Sequence, residues 1–346
     1  MKLKSLLAIA VVILACMYSA TTATNVHELA MSGRQLSAEK VQSLEKQVER
    51  DPQDITSRTK LLGYYFGKSY QDPSARKAKQ KHVLWLIVNS PESEVLGTPY
   101  GELDGILDSE AYVQGKKAWL AHLKKQPNSL KVLEHSADFF RQSDRELSQK
   151  SLEKARSLDM DNPKWPNALG HLYSLDLIRK SSLKAKTDTA AKALEQFEIA
   201  YKLSTGEDKK LLHQNLAKMA FAAGKLEKAQ EYAEKMLSQN SPGWNYGNNI
   251  HHGNIILGRI ALKRNDIEKA KEHLIKAGQT PGSPQLNSFG PSMGLAKDLL
   301  EKGEKDVVLR YFALCSKFWA MKQDRLDKWT ALVKAGMTPD FRVQPY

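Results

Sequence analysis

Residues 216–236, LAKMAFAAGKLEKAQEYAEKM, determine the fold because two later stretches repeat their spacing. Residues 257–277 (LGRIALKRNDIEKAKEHLIKA) and 295–315 (LAKDLLEKGEKDVVLRYFALC) place the same residue types at the same intervals. Each stretch begins with Leu and a small residue, reaches a helix breaker, and then continues with apolar residues at helical steps. Internal repetition of this kind predicts stacked helical hairpins.

The small residue that follows each opening Leu lets the two helices of a hairpin approach closely, so that side-chain ridges pack into grooves. These residues are Ala217, Gly258 and Ala296. The breakers stand where the first helix must end, a position that favours a left-handed backbone, and they are Gly224, Asn265 and Gly303. Since one hairpin cannot bury its own apolar face, stability must come from stacked neighbours.

The first half of the chain carries looser copies of the pattern. They cover residues 62–85, 132–158 and 169–200, the last with a Lys- and Ser-rich insertion at 174–190. Pro52, Pro127 and Pro163 mark turns between helical pairs, because the residue before a proline resists the helical conformation. We therefore predict an all-α chain whose parts are a linker at 24–36, a repeat solenoid with C-terminal capping helices at 37–335, and a tail at 336–346.

The repeated stretches resemble the tetratricopeptide repeat, and the resemblance covers most of residues 50–320. It implies a right-handed solenoid of helical hairpins that binds other molecules and has no catalytic activity. In this family the first helix of each hairpin lines a concave groove that accepts an extended peptide or a partner helix. Chaperone-binding members clamp a terminal carboxylate with Lys, Asn and Arg. Asn215 and Lys218 partly match that set, whereas Ile256 stands where a polar residue is needed.

Three segments between residues 247 and 318 also resemble a group of uncharacterised bacterial repeat proteins. They are Gly247-Asn-Asn-Ile-His251-His252-Gly-Asn, the Pro-rich run at 280–291, and Phe318-Trp319. The resemblance supports the helical-repeat architecture and implies no specific chemistry.

Projecting the repeats onto the groove predicts a set of binding residues beside the packing leucines. The set is polar, mostly basic or amide, and none of its members is acidic: Lys164, Asn167, His171, Gln214, Lys218, His252, Arg259 and Lys297. Such a surface suits a carboxylate, a phosphate or an acidic peptide, and an Arg can contact a carboxylate with two parallel hydrogen bonds. The alternative interpretation is that long basic side chains simply solvate a curved surface.

The first residues are typical of an export signal. Two lysines precede an apolar run at 6–14 that is too short to span a bilayer. Two cleavage interpretations compete: a signal peptide 1–23 cleaved after Ala23, which we favour, or a lipoprotein signal that ends before a lipidated Cys16. A retained membrane anchor is a third and weaker alternative. Either cleavage predicts an exported protein, periplasmic or secreted, and the lipoprotein signal adds membrane attachment through an N-terminal lipid.

The chain has a formal net charge of +13 and a pI near 9.4, which favours acidic partners. Its lysines are scattered and are not interleaved with aromatic residues, so we expect no nucleic-acid binding. Anionic lipid or cell-wall polymer remains an alternative ligand.

The sequence contains no recognisable catalytic motif, and we expect no cofactor. His251 and His252 are adjacent, so on a helix they point about 100° apart and cannot share a metal by themselves. We therefore predict no metal site. Cys315 falls at a packing position, where a buried thiol acts as a small apolar group.

Long connections follow the first and the second repeat copies. In the loop 241–249, Trp244 and Tyr246 could contact a partner, although packing between repeats is the preferred role for Trp244. The Pro-rich run 280–291 is expected to form a rigid strap. Trp319, Leu326 and Trp329 are expected to lie on one face of the capping helices.

The sequence as a whole predicts an exported scaffold that mediates protein interaction or assembly in the cell envelope. The first alternative is a protein that binds an anionic small molecule or polymer. The second is an enzyme with a site around His251 and His252.

Overall fold

The computed structural model describes residues 25–239, 243–322 and 324–341. Within these ranges the chain forms 17 α-helices and no β-strand, which confirms the expected all-α class. The signal region and Cys16 lie outside the described residues.

Tertiary contacts divide the chain into two compact units, one ending at Leu158 and the other beginning at Asp159. The repeat pattern predicts one continuous solenoid over residues 37–335. Unit 1 contains α1 (Val26–Gly33), α2 (Ala38–Arg50), α3 (Ile55–Lys68), α4 (Pro73–Asn89), α5 (Ser109–Lys125), α6 (Leu130–Phe140) and α7 (Arg145–Leu158). Unit 2 contains α8 (Lys164–Asp176), α9 (Leu183–Leu203), α10 (Gly206–Ala222), α11 (Leu226–Leu237), α12 (Tyr246–Lys263), α13 (Ile267–Gly278), α14 (Pro284–Phe289), α15 (Gly294–Leu300), α16 (Lys305–Cys315) and α17 (Arg325–Lys334).

Helix boundaries follow local signals in the sequence. The side chains of Asp54 and Asp266 accept hydrogen bonds from backbone N–H groups in the first turns of α3 and α13, and so cap the two helices. The three breakers of the repeat adopt the left-handed backbone that the spacing predicts, with φ of 73° at Gly224, 60° at Asn265 and 86° at Gly303.

In each unit the helices pack mainly against their neighbours in sequence, as in a helical repeat. In unit 2 the first helices of successive hairpins also contact each other, α10 with α12 and α12 with α15. Ala217, Gly258 and Ala296 are buried at these contacts, and a Cβ on Gly258 would meet the Leu295 side chain at 2.3 Å. A Cβ on Gly258 would also stand 3.3 Å from the Ala270 carbonyl oxygen of α13, so Gly258 has the predicted packing role within its own hairpin.

Unit 1 begins with a helix where the sequence predicts only a linker. In α1, Ala30 and Gly33 lie directly against the backbone of α3, at Gly63 and Lys60 respectively. A Cβ on Gly63 would lie 1.7 Å from the Ala30 carbonyl oxygen, and a Cβ on Gly33 would lie 1.9 Å from that of Lys60. This reciprocal backbone contact fixes α1 against the rest of unit 1.

Unit 2 ends in a cluster of aromatic side chains. Trp319, Leu326 and Trp329 are buried, as the capping pattern predicts. Phe341, in the stretch expected to be a tail, is also buried and packs 5.0 Å from the Trp329 ring, measured between centroids. Cys315 is fully buried in the same core, and burial raises the pKa of its thiol. The thiol is therefore a packing group, as expected.

Candidate functional site

The three motif segments of unit 2 come together in space. Gly247, at the start of α12, lies so close to the strap that a Cβ there would stand 1.7 Å from the Gly282 carbonyl oxygen. The Thr280 hydroxyl donates a hydrogen bond to the Gly247 carbonyl (2.8 Å), and the Ser283 hydroxyl donates one to the Asn248 side chain (2.6 Å). These contacts attach the strap to α12. Phe318 of the third segment lies against the strap, since a Cβ on Gly282 would stand 2.9 Å from the Phe318 Cβ.

His251 is a structural residue of this junction. Its Nδ1–H donates a hydrogen bond to the Ala277 carbonyl (3.1 Å), and its Nε2 accepts one from the Ser292 N–H (2.9 Å). The side chain is fully buried, and burial, with a smaller contribution from Lys218, lowers its pKa to about 4. Both ring nitrogens of the neutral imidazole are therefore engaged by the backbone.

His252 lies on the partly exposed side of α12. Its ring contacts that of His251 edge to face, with 4.9 Å between centroids. Burial, the Lys218 charge and His251 together hold the pKa of His252 well below its usual value, so the imidazole is neutral. Within the part of the chain that the structure describes, no three His, Cys, Asp or Glu side chains are grouped so as to hold a metal ion.

Lys218, on α10, is the most unusual charged group of the predicted set. Protein surrounds its side chain on most sides, although part of it remains exposed. Burial lowers its pKa to about 8, and no carboxylate among the described residues forms an ion pair with it. Its charge contributes to the lowered pKa values of both His251 and His252. Lys218 and the two histidines thus form one cluster where α10 meets α12.

Two other predicted cations of this face are already paired. The Arg259 Nε donates a hydrogen bond to an Asp298 carboxylate oxygen (2.8 Å), and its guanidinium lies 4.7 Å from the Phe221 ring centroid. Lys297 lies 3.9 Å from a Glu301 carboxylate oxygen. The face therefore includes carboxylates that the sequence projection leaves out, and Arg259 is less available to a ligand than predicted.

Three more predicted residues line a single cleft between α8 and α10, with a volume of about 450 Å³. Lys164, Asn167 and His171 come from α8. Sequence reasoning missed most of the remaining lining, which comprises Asn162, Pro163, Ser204, Asp208, Leu211, Leu212 and Asn215. Gln214 is on α10 and is not part of this lining. We call this space the α8–α10 cleft.

The two aromatic residues of the 241–249 loop lie at the start of α12. Trp244 is 56% exposed, so it does not have the preferred role of packing between repeats. Tyr246 is the first residue of α12 and is only partly exposed.

A scan against models of protein families found no match, and a search of the curated proteins found no significant similarity. Among residues 25–239, 243–322 and 324–341, no helix has the length and hydropathy that crossing a membrane requires.

Proposed function

We propose that this protein is an exported, tetratricopeptide-like solenoid that binds an acidic segment of a partner protein. The binding face comprises the exposed sides of α10, α12 and α15 in unit 2, and Lys218 is its central residue. The stacked hairpins support the repeat architecture, and the apolar run at 6–14 supports export.

The observation that carries the proposal is the unpaired charge of Lys218. Enclosing a cation without a counter-ion costs free energy, so such groups are rare unless a ligand compensates them. Here the nearby imidazoles of His251 and His252 are neutral and supply no negative charge. A carboxylate of a bound peptide would provide the missing partner, and binding would raise the Lys218 pKa.

The proposal can be tested with an array of synthetic decapeptides. The peptides are made as matched pairs, in which one member contains Asp or Glu and the other contains Asn or Gln at the same positions. The acidic member should bind the wild-type chain at least tenfold more tightly, because a charge-assisted hydrogen bond contributes about 1.5–3 kcal/mol. Lys218→Met should remove this preference. Lys276→Met is the matched control and should keep it, since Lys276 lies on α13, outside the binding face, and forms an ion pair with Glu272.

The affinity for the acidic peptides should also depend on pH. Because binding requires the protonated amine, affinity should be constant below the Lys218 pKa of about 8 and fall roughly tenfold per pH unit above it. The assignment of Lys218 would be refuted if wild type bound both members of each pair equally well. It would also be refuted if wild type and Lys218→Met preferred the acidic member to the same extent. Competition by inorganic phosphate at similar concentrations would favour a small anion over a peptide.

A further inference from the structure

The α8–α10 cleft contains uncharged polar side chains that have no partner in the described protein. The Asn167 Oδ1 atom is buried without a hydrogen bond. The side chains of Asn215 and Ser204 form no hydrogen bond with any described residue, and their polar atoms remain accessible to solvent. Buried polar groups are normally satisfied, so each exception calls for an explanation. The buried Asn167 acceptor lines the same cavity as the solvent-accessible polar atoms of Ser204 and Asn215, so a bound molecule would complete the Asn167 hydrogen bond and could reach the other two side chains.

The lining indicates what kind of molecule this is. A carboxamide presents one acceptor and two donors, and so pairs with a peptide group, which presents one of each. Leu211 and Leu212 add an apolar wall, and Leu211 is 38% exposed although it is aliphatic. The volume of about 450 Å³ lies within the range of ordinary ligand sites. A peptide main chain with one aliphatic side chain matches both parts of this surface.

The cleft and Lys218 are close enough to bind one ligand. Asn215, in the cleft lining, and Lys218 are three residues apart on α10, so they lie on the same face of that helix. Their separation along the helix axis is about 4.5 Å, at 1.5 Å per residue. An extended peptide advances about 3.3 Å per residue. One or two residue steps of a bound peptide therefore span the distance from the cleft to Lys218.

We infer that the α8–α10 cleft binds the peptide main chain and an aliphatic side chain located one or two residues from the acidic residue that Lys218 binds. The inference rests on the proposed function, since it assumes an acidic peptide at Lys218. It adds a second requirement to the ligand. The partner segment must combine an aliphatic and an acidic residue at short, fixed spacing.

Three blocked synthetic peptides test this requirement. The parent is Ser-Leu-Leu-Asp-Leu-Leu-Ser, which offers Leu at both spacings and in both directions; the others replace every Leu by Ser, or Asp by Asn. Wild-type protein should bind the parent about tenfold more tightly than either derivative. In protein labelled with ¹⁵N at Asn, the parent should shift the side-chain signals of Asn167 and Asn215.

Variants separate the two sites. The variant Leu211→Ala should lose the preference for Leu and keep the preference for Asp, whereas Lys218→Met should do the reverse. The double variant Ser204→Ala/Asn215→Ala should bind all three peptides more weakly and keep both preferences. Equal affinity of wild type for the Leu and Ser peptides, or unchanged Asn167 and Asn215 signals, would overturn the cleft assignment alone. Equal affinity for the Asp and Asn peptides would instead refute the role of Lys218.

Discussion

Gly63→Ala is expected to destabilise unit 1 by roughly 3 kcal/mol or more, because the new methyl group meets backbone that cannot rotate away. The added Cβ would lie 1.7 Å from the Ala30 carbonyl oxygen, so α1 and α3 must separate. Hydrogen exchange measured on peptides from α1 and α3 should accelerate in both helices. Urea unfolding should show the same loss of stability.

Gly67→Ala is the matched control, since Gly67 lies one turn further along α3 and a Cβ added there would meet no described atom beyond its own helix within 4 Å. This variant should be more stable than wild type by about 0.5–1 kcal/mol, because Ala restricts the unfolded chain and favours the helix. If the two substitutions change stability by similar amounts, the backbone contact between α1 and α3 does not exist in solution.

Acid should destabilise unit 2 through His251. Its pKa is about 4 in the folded chain and about 6.5 when unfolded, so the unfolded state binds the proton more readily. The stabilisation by the neutral ring is complete above pH 6.5 and falls as the pH drops toward 4. The difference between the folded and unfolded pKa values of His251 corresponds to roughly 3 kcal/mol in the free energy of unfolding, for a fully buried ring. The physical cause is that burial disfavours the charged ring, with a smaller effect from Lys218. A proton on Nε2 would in addition remove the hydrogen bond from the Ser292 N–H.

This pH dependence can be measured by urea unfolding between pH 6.5 and 5, where most carboxylates remain ionised. His213 is also expected to contribute, since burial, with smaller effects from Lys235 and Lys209, lowers its pKa to about 4. The variant His251→Leu should be less stable at pH 7 and show a weaker dependence on pH. An identical slope in wild type and His251→Leu would show that His251 does not titrate as described.

Much of the fold could be predicted because its determinants are local in sequence. Gly224, Asn265 and Gly303 have the positive φ values that their spacing indicates. Helix α1 was missed because its contact with α3 depends on Ala30 and Gly33, which give no strong apolar periodicity. Only the three-dimensional structure reveals that these small residues face another backbone.

The candidate site was less predictable because its chemistry depends on distant residues. Helical projection placed Lys164, Asn167 and His171 on one face of a helix, and the three residues line one cleft. Projection could not show that Arg259 forms an ion pair with Asp298, because Asp298 lies 39 positions later in the sequence. Ser204 also escaped the projection, since it lies just after the end of α9 rather than on the first helix of a hairpin. Its place in the cleft follows from the packing of α9 against α8 and α10.

A direct titration of Lys218 is the most decisive test of the proposed binding face. Lysine Cε signals can be followed by ¹³C NMR from pH 6 to 11, with the Lys218 signal assigned by its absence from Lys218→Met. We expect a midpoint near 8 for the free chain and a higher midpoint with a saturating acidic peptide. A midpoint near the ordinary value of 10.5 in the free chain, unchanged by the peptide, would contradict the proposal.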